Sequence, residues 1–245
     1  MTRLELIGVE GLPEVRPGDD LGELISSRSK LATGDVLVVA QKVVSKSEGR
    51  LISLQTVNAS PEAVSIAANL VAVPDPRMVQ VILDESVRVL RSHRVLITET
   101  RHGFVCANGG VDQSNVPGED VVTLLPEDPD ASASGLRSRL RQLTGIEVGV
   151  IVSDTFGRPW RLGIVNVALG VAGLPALLDL RGSLDSTGKE LHATVLAIAD
   201  ELAAAAGLVM GKTARTPAVI VRGLRMQGSG TGRDLVRPAA EDLFR

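Results

Sequence analysis

Two runs in this chain carry residue types suited to phosphate chemistry. One is Val105-Cys106-Ala107-Asn108-Gly109-Gly110-Val111-Asp112-Gln113-Ser114-Asn115-Val116, and the other is Val152-Ser153-Asp154-Thr155-Phe156-Gly157-Arg158. Each follows an apolar, strand-like stretch with a turn offering a carboxylate and a neutral oxygen, the donors that a hard divalent cation takes. Asp112 and Asn115 stand three apart, so a carboxylate can take Mg2+ or Mn2+ while an amide meets a base, ribose or phosphate. The plainer reading of that pair is an Asx-turn closing the loop. Asp154-Thr155 offers adjacent carboxylate and hydroxyl ligands, against the plainer reading of an ordinary turn or helix N-cap. The two sites together argue more strongly than either alone. Two carboxylates can neutralise cations that bridge phosphate oxygens, and they need to meet only in the folded chain.

Arg158 and Arg161 flank Trp160 and suit the anionic groups of a nucleotide or a carboxylate substrate, although surface arginines are common. Lysine occurs only at Lys30, Lys42, Lys46, Lys189 and Lys212. Of these Lys46, just after a buried strand, is the best placed for a phosphate contact, with a solvated lysine as the commoner outcome. Gly211-Lys212-Thr213 resembles the end of a P-loop, but Ala206 stands where the first glycine is needed and a helix precedes it. That loop is still expected near an active site. No Gly-x-Ser-x-Gly elbow or Cys-His pattern argues for covalent catalysis. The lone Cys106 excludes an internal disulfide and a cysteine-based zinc site, and reads as a small core residue. His93, His102 and His192 are isolated and read as satisfied or solvated.

The elements that must position these residues come in mixed order. Strands are expected over residues 4–9, 36–40, 95–98, 103–107, 121–125, 147–153 and 218–221, and over 162–171 with a bulge. Helices are expected from Asp19-Asp20 to about Ser29, after Ser60-Pro61, from Asp75-Pro76 through Leu90, and from Asp128-Pro129 to about Leu143. The arginines of the last, Arg137, Arg139 and Arg141, read as a solvated face. Residues 188–206 read as the longest helix. Neighbouring strands that look antiparallel favour an α+β class, with mixed, largely antiparallel sheets and flanking helices, over a regular doubly wound sheet. At 245 residues the chain has room for one large domain or two small ones; a single domain over residues 1–245, with two α+β lobes as an option, is expected, and residues 233–245 read as a terminal segment or linker.

A net charge of −3 argues against a general nucleic-acid binder. No stretch approaches the roughly 18 apolar residues needed to span a bilayer, so no membrane partner is expected. The first strand pattern carries Glu5 and lacks a signal-peptide core, and a cytoplasmic, reducing location fits.

Taken together, these residues resemble the coenzyme F420-0:L-glutamate ligase family, the gamma-glutamyl ligases of the deazaflavin coenzyme. The resemblance rests on Val9-Glu10-Gly11-Leu12-Pro13, Gly18-Asp19-Asp20-Leu21, Gly34-Asp35-Val36-Leu37-Val38-Val39 and Ser45-Lys46-Ser47-Glu48-Gly49-Arg50. It continues through Asn115-Val116, Asp154-Thr155 and Pro217-Ala218-Val219-Ile220-Val221-Arg222-Gly223-Leu224, and so covers nearly the whole chain. It implies a GTP-dependent ligase that adds L-glutamate, and further gamma-linked glutamates in some members, to coenzyme F420-0. GTP would phosphorylate the acceptor's terminal carboxylate, and the glutamate amine would attack the acyl phosphate. Catalysis would then rest on positioning and charge neutralisation.

By the same resemblance, the cation ligands fall on Asp112, Asp154 and Thr155. Guanine-nucleotide contacts fall on Leu12, Pro13, Glu14, Val15, Gln41, Lys46, Asn115, and the loop Met210, Gly211, Lys212 and Thr213. The resemblance further implies a monovalent cation such as K+ and an intertwined homodimer. Two positions depart from the family's pattern. Gln41 stands where a small hydroxyl residue is often found, five positions before Lys46, and Lys212 stands where archaeal-type members carry an acidic cation ligand. A lysine cannot bind a cation, though its ammonium can contact phosphate, so whether one or two divalent ions bind stays open. Some actinobacterial members continue into a flavin-binding nitroreductase-like domain, and residues 235–244 resemble the linker before it. The alternatives are a related ligase with another amino acid or acceptor, and a nucleotide- or coenzyme-binding module without turnover.

Overall fold

The apolar run at residues 36–40 lies at the centre of a five-stranded sheet, with both faces covered. The computed structural model describes residues 3–71, 74–114, 118, 120–211, 214–224 and 226–242. The elements in chain order are β1 (Glu5–Gly8), α1 (Leu21–Ser26), β2 (Val36–Ala40), α2 (Gln41–Ser47), β3 (Leu51–Ser53), α3 (Pro61–Ala68) and α4 (Pro76–Asp84). They continue with β4 (Ser86–His93), β5 (Val95–Thr100), β6 (Val105–Ala107), β7 (Val121–Thr123), α5 (Pro129–Thr144), β8 (Gly149–Arg158) and β9 (Arg161–Ala172). The last are β10 (Leu178–Asp179), β11 (Val195–Leu196), α6 (Ile198–Met210) and β12 (Ala218–Arg222).

The main sheet has the order β1-β12-β2-β8-β9, in which β2 and β8 are parallel and the other neighbours antiparallel. Smaller antiparallel sheets pair β4-β5-β6, β3 with β7, and β10 with β11. The class is α+β, with mixed, largely antiparallel sheets. Strand alternation divides the core. Leu37, Val39, Val150 and Val152 pack under α1 and α5 with Ile25, Leu136 and Leu140, while Val36, Val38 and Ile151 pack under α6 with Leu202, Ala203 and Ala206. A separate cluster gathers α3 and α4 with β5 and β7 through Leu54, Ile66, Val79, Ile82, Leu96 and Val122. Gly170 lets the start of α5 lie directly on β9, since a β-carbon there would stand 1.9 Å from the Pro129 carbonyl oxygen. No helix among the described residues is long and apolar enough to cross a membrane.

Helix starts follow their capping residues. The side chains of Asp20, Ser60, Asp75 and Asp128 accept first-turn N–H groups of α1, α3, α4 and α5, and Pro61, Pro76 and Pro129 open the last three. Four expectations need correction. First, α4 stops at Asp84 rather than running to Leu90, because residues 86–93 pair with β5 and their alternating valines suit a strand. Second, residues 188–197 are not helical. Asp185 closes a turn by accepting the Thr187 and Lys189 N–H groups, and α6 begins only at Ile198, leaving α5 as the longest helix. Third, Asp154 and Thr155 lie within β8 and not in a turn, because β9 pairs with the strand past them. Fourth, the arginine face of α5 is solvated only in part: Arg141 is exposed while pairing with Glu147, and the half-buried Arg137 and Arg139 pair with Glu147 and Asp20.

Candidate active site

Strands β1, β2 and β8 run in one direction, so their carboxyl ends share one end of the main sheet. That is where open α/β sheets bind ligands. The loops bordering it are fixed by main-chain hydrogen bonds. The Val9 N–H donates to the Ala218 carbonyl (2.9 Å), and the Ala40 N–H donates to the Pro217 carbonyl (2.8 Å). The segment after β1 and the segment before β12 therefore both border the point where β2 gives way to α2.

Register then places the sequence candidates. Ala40 is the partner of Ser153, so Gln41, the first residue of α2, and Asp154, the next residue of β8, follow the same register pair. Gln41 opens α2 fully buried. Its Oε1 accepts the Ser45 hydroxyl at 2.8 Å, and its Nε2 has no partner among the described residues, which leaves a buried donor uncompensated by them. Lys46, 5% exposed, forms an ion pair with Glu14 from the segment after β1. In that segment Leu12 and Val15 pack into the core beside α1 and α2, while Pro13 and Glu14 are exposed. The buried lysine thus ties the residue 12–15 segment to the end of β2.

Asp112 reaches the same place from the other lobe of contacts. The chain leaves β6 through a 3-10 turn at Asn108–Gly110. Gly110 has φ of 73°, and a β-carbon on it would stand 2.6 Å from the Leu125 side chain, so only glycine fits. Asp112 then pairs with Thr123 through both main-chain groups, at 3.0 and 2.8 Å. Its side chain makes the Asx contact expected of such a loop, accepting the Ser114 N–H at 2.7 Å. It also accepts the Ser114 hydroxyl at 3.0 Å and pairs with Lys42 Nζ at 2.7 Å. Burial pushes the Asp112 carboxyl up, but the bonds from Lys42 and Ser114 and the lysine's charge outweigh it and hold the group below the usual carboxylate value. It is therefore ionised at neutral pH.

Asp154 lies just past a bulge. Val152 pairs with Gly170 and Ser153 with Ala168, so Leu169 is the extra residue, and the Ala168 N–H is taken by Asp200 at 2.8 Å. β6 packs on β8 here. Burial first, and the nearby Asp154 charge second, push the Cys106 thiol up to about 12, which makes it an inert core thiol beside the carboxylate. Successive strand residues face opposite sides. Thr155 accordingly donates to Asn166 Oδ1 (3.0 Å), and Asn166 lies against Met210 at the end of α6. Met210 is buried and Gly211 ends that helix, whereas Asn115, Lys212 and Thr213 lie outside the described residues. Beyond Asp154 the hairpin of β8 and β9 continues as a two-stranded arm. Arg158 and Arg161 pair across its tip, both exposed, four and seven residues along the chain from Asp154. Residues 12–15 and Lys46 are tied together at the end of β2, Lys42 joins Asp112 to α2, Asp154 follows the Ala40–Ser153 register pair in β8, and the two arginines stay on the arm.

The family profile for F420-0:Gamma-glutamyl ligase matches residues 11–223, a span containing every residue just placed. The chain belongs to this family. It is 49% identical over 255 residues to the coenzyme F420:L-glutamate ligase of Methanopyrus kandleri, with all of both chains covered. The proteins of the same name from Methanothermobacter thermautotrophicus and Methanocaldococcus jannaschii are 47% and 45% identical, each with 99% of this chain and 99% and 97% of the relative covered. As a gamma-glutamyl ligase family member the protein is an enzyme of the ligase class.

Sequence reading missed Lys42 as the partner of Asp112. Helical spacing places Lys42 on the same side of α2 as Lys46, four residues on, but only the fold brings it to Asp112. Among the described residues no three His, Cys, Asp or Glu side chains gather into a metal cage. Asp112 and Asp154 are nonetheless hard oxygen donors of the kind Mg2+ and Mn2+ take when substrate phosphates supply the rest, so they fit such an ion by donor type, while Thr155, on the opposite face of β8, does not join them.

Proposed function

We propose that this enzyme joins L-glutamate to coenzyme F420-0 at the expense of GTP, through an acyl phosphate. The observation that carries the reading is that Gln41 and Asp154 directly follow the register pair Ala40–Ser153, while α2, which starts there, carries Lys46 and the Lys42 bound to Asp112. The names of the full-length relatives support the same substrates.

Asp112 and Asp154 would hold Mg2+ or Mn2+, whereas Thr155, the third ligand that the resemblance implies, faces the other side of β8 and stays with Asn166. Bound there, the ion neutralises charge on the triphosphate and makes its terminal phosphorus a better electrophile. Residues 12–15, Gln41 and Lys46 would border the nucleotide, and the resemblance adds Met210, Gly211 and, outside the described residues, Asn115, Lys212 and Thr213. The terminal carboxylate oxygen of F420-0 attacks the γ-phosphorus, the bond to the β-phosphate oxygen breaks, and GDP leaves. The α-amine of glutamate then attacks the acyl carbon, phosphate departs with the bonding pair, and the amine's proton is lost to solvent. The chain's own part is to orient three anionic reactants and screen their repulsion, and no residue need become covalently attached. K+ is a further screening cation of this reading.

The arm supports a homodimer. Trp160, Leu162 and Ile164 are 78%, 96% and 60% exposed, an apolar surface suited to a second copy of the chain. Such a dimer would carry Arg158 and Arg161 towards the partner's anionic substrates.

Incubation with GTP, Mn2+ or Mg2+, L-glutamate and F420-0 tests the proposal by mass spectrometry. The expected result is GDP and a coenzyme heavier by one or more glutamyl units. Absence of a glutamylated product, with an active relative run as control, rejects it.

A further inference from the structure

We propose that Lys42 is a built-in counter-cation for Asp112, holding the divalent ion's place until nucleotide draws it away, so that Asp112 admits metal together with nucleotide and not before it. The inference rests on the reading of Asp112 as a metal ligand.

Lys42 Nζ lies 2.7 Å from Asp112 Oδ2 and donates to Ser114 Oγ as well, so two of its three donors are spent on this one loop. Its side chain is 18% exposed, more sheltered than the carboxylate it meets at 38%. The pair is not needed to shape the loop. Asp112 is already paired to Thr123 by both main-chain groups, its carboxylate takes the Ser114 N–H, and its carbonyl takes the Thr123 hydroxyl at 2.9 Å. What the lysine adds is charge.

A divalent ion binds a carboxylate oxygen at roughly 2.1 Å, which would set two positive centres against the same atom at separations where like charges repel strongly. One of them must leave. The lysine can, because its ammonium rides on a flexible four-carbon stem rooted in the first turn of α2. On the same side of that helix stands Lys46, four residues on and itself nearly buried. An incoming triphosphate at the end of β2 offers the departing ammonium a new anion. Free metal offers it none and must displace it against repulsion. The residue would thereby couple metal affinity to nucleotide occupancy without a hinge or lid.

The test is Mn2+ binding followed by the loss of the free ion's paramagnetic resonance signal, on the full chain, without nucleotide. Wild type should bind Mn2+ weakly. Lys42→Met should bind at least tenfold more tightly, Lys42→Gln likewise, and Lys42→Arg should match wild type because the charge is kept. With a non-hydrolysable GTP analogue the gap between wild type and Lys42→Met should shrink. Circular dichroism on each variant confirms the fold. Should both neutral variants bind Mn2+ no more tightly than wild type, while Asp112→Asn weakens Mn2+ binding in the presence of the analogue, the counter-cation role alone is overturned. Should Lys42→Met bind tightly and keep that gain when Asp112→Asn is added, the metal is not at Asp112, and the assignment beneath the inference falls with it.

Discussion

Asp154 is held by the sheet itself, one residue past the register pair Ala40 and Ser153, so its removal deletes a charge without disturbing a turn. Asp154→Ala is predicted to lower the rate of glutamate incorporation by about a thousandfold or more, the scale reached when a main electrostatic element is lost. Unchanged circular dichroism with lost product formation is the check. Lys46→Ala should act differently. Its partner Glu14 is 59% exposed at the side chain and can be solvated, but the lysine stem is nearly buried, so a stability loss of about 1–3 kcal/mol is expected from lost packing. The KM for GTP should rise about tenfold to a hundredfold, the worth of a charge-assisted hydrogen bond, as steady-state kinetics would report. Both residues were legible in the sequence from their types and neighbours. The partner of Asp112 was not, because Lys42 lies 70 positions away and only the fold brings them together.

At the level of elements, the bulge in β9 is what lets the arm leave the sheet, and Asp200 holds it through the Ala168 N–H. Burial raises the Asp200 carboxyl above its ordinary 3.8, and the hydrogen bond from Ala168 offsets this only in part. A carboxyl raised by folding binds its proton more tightly in the folded chain. It therefore favours folding most at low pH, and that contribution declines as pH climbs from about 3.8 through the folded value. Asp200→Asn keeps an acceptor for Ala168 and removes the charge. The stability difference between this variant and wild type should move in the variant's favour as pH rises, measured as urea midpoints at several pH values. Asp200→Ala, lacking the acceptor, should lose about 1–2 kcal/mol. The starts of α1, α3, α4 and α5 were readable because capping side chains and prolines announce them locally, whereas α2 follows Ala40, which offers no capping side chain, and was not expected. The end of α4 was not readable, since Val81, Ile82 and Val89 fit a helical spacing that the β4 pairing with β5 overrides. The same holds for the start of α6, where Asp185 and Gly188 make a turn inside a stretch that otherwise suits a helix.

For the whole molecule, the α+β class followed from the mixed order of elements, and the parallel contact of β2 with β8 is what turns two distant sequence blocks into one site. Periodicity cannot reveal which strands become neighbours, so the convergence was available only through the family resemblance and the fold. If the arm joins two subunits, Trp160→Ala combined with Leu162→Ser should shift the sedimentation coefficient towards that of a monomer and lower turnover. An unchanged sedimentation profile would leave the arm without that role. The account as a whole depends on Asp112 and Asp154 gripping the same metal-bound triphosphate. Calorimetric titration of GTP at rising Mn2+ tests this most directly, in wild type, Asp112→Asn and Asp154→Asn. The dissociation constant should fall at least tenfold with Mn2+ in wild type and stay flat in both variants, whereas a full Mn2+ response in either variant would contradict a shared site.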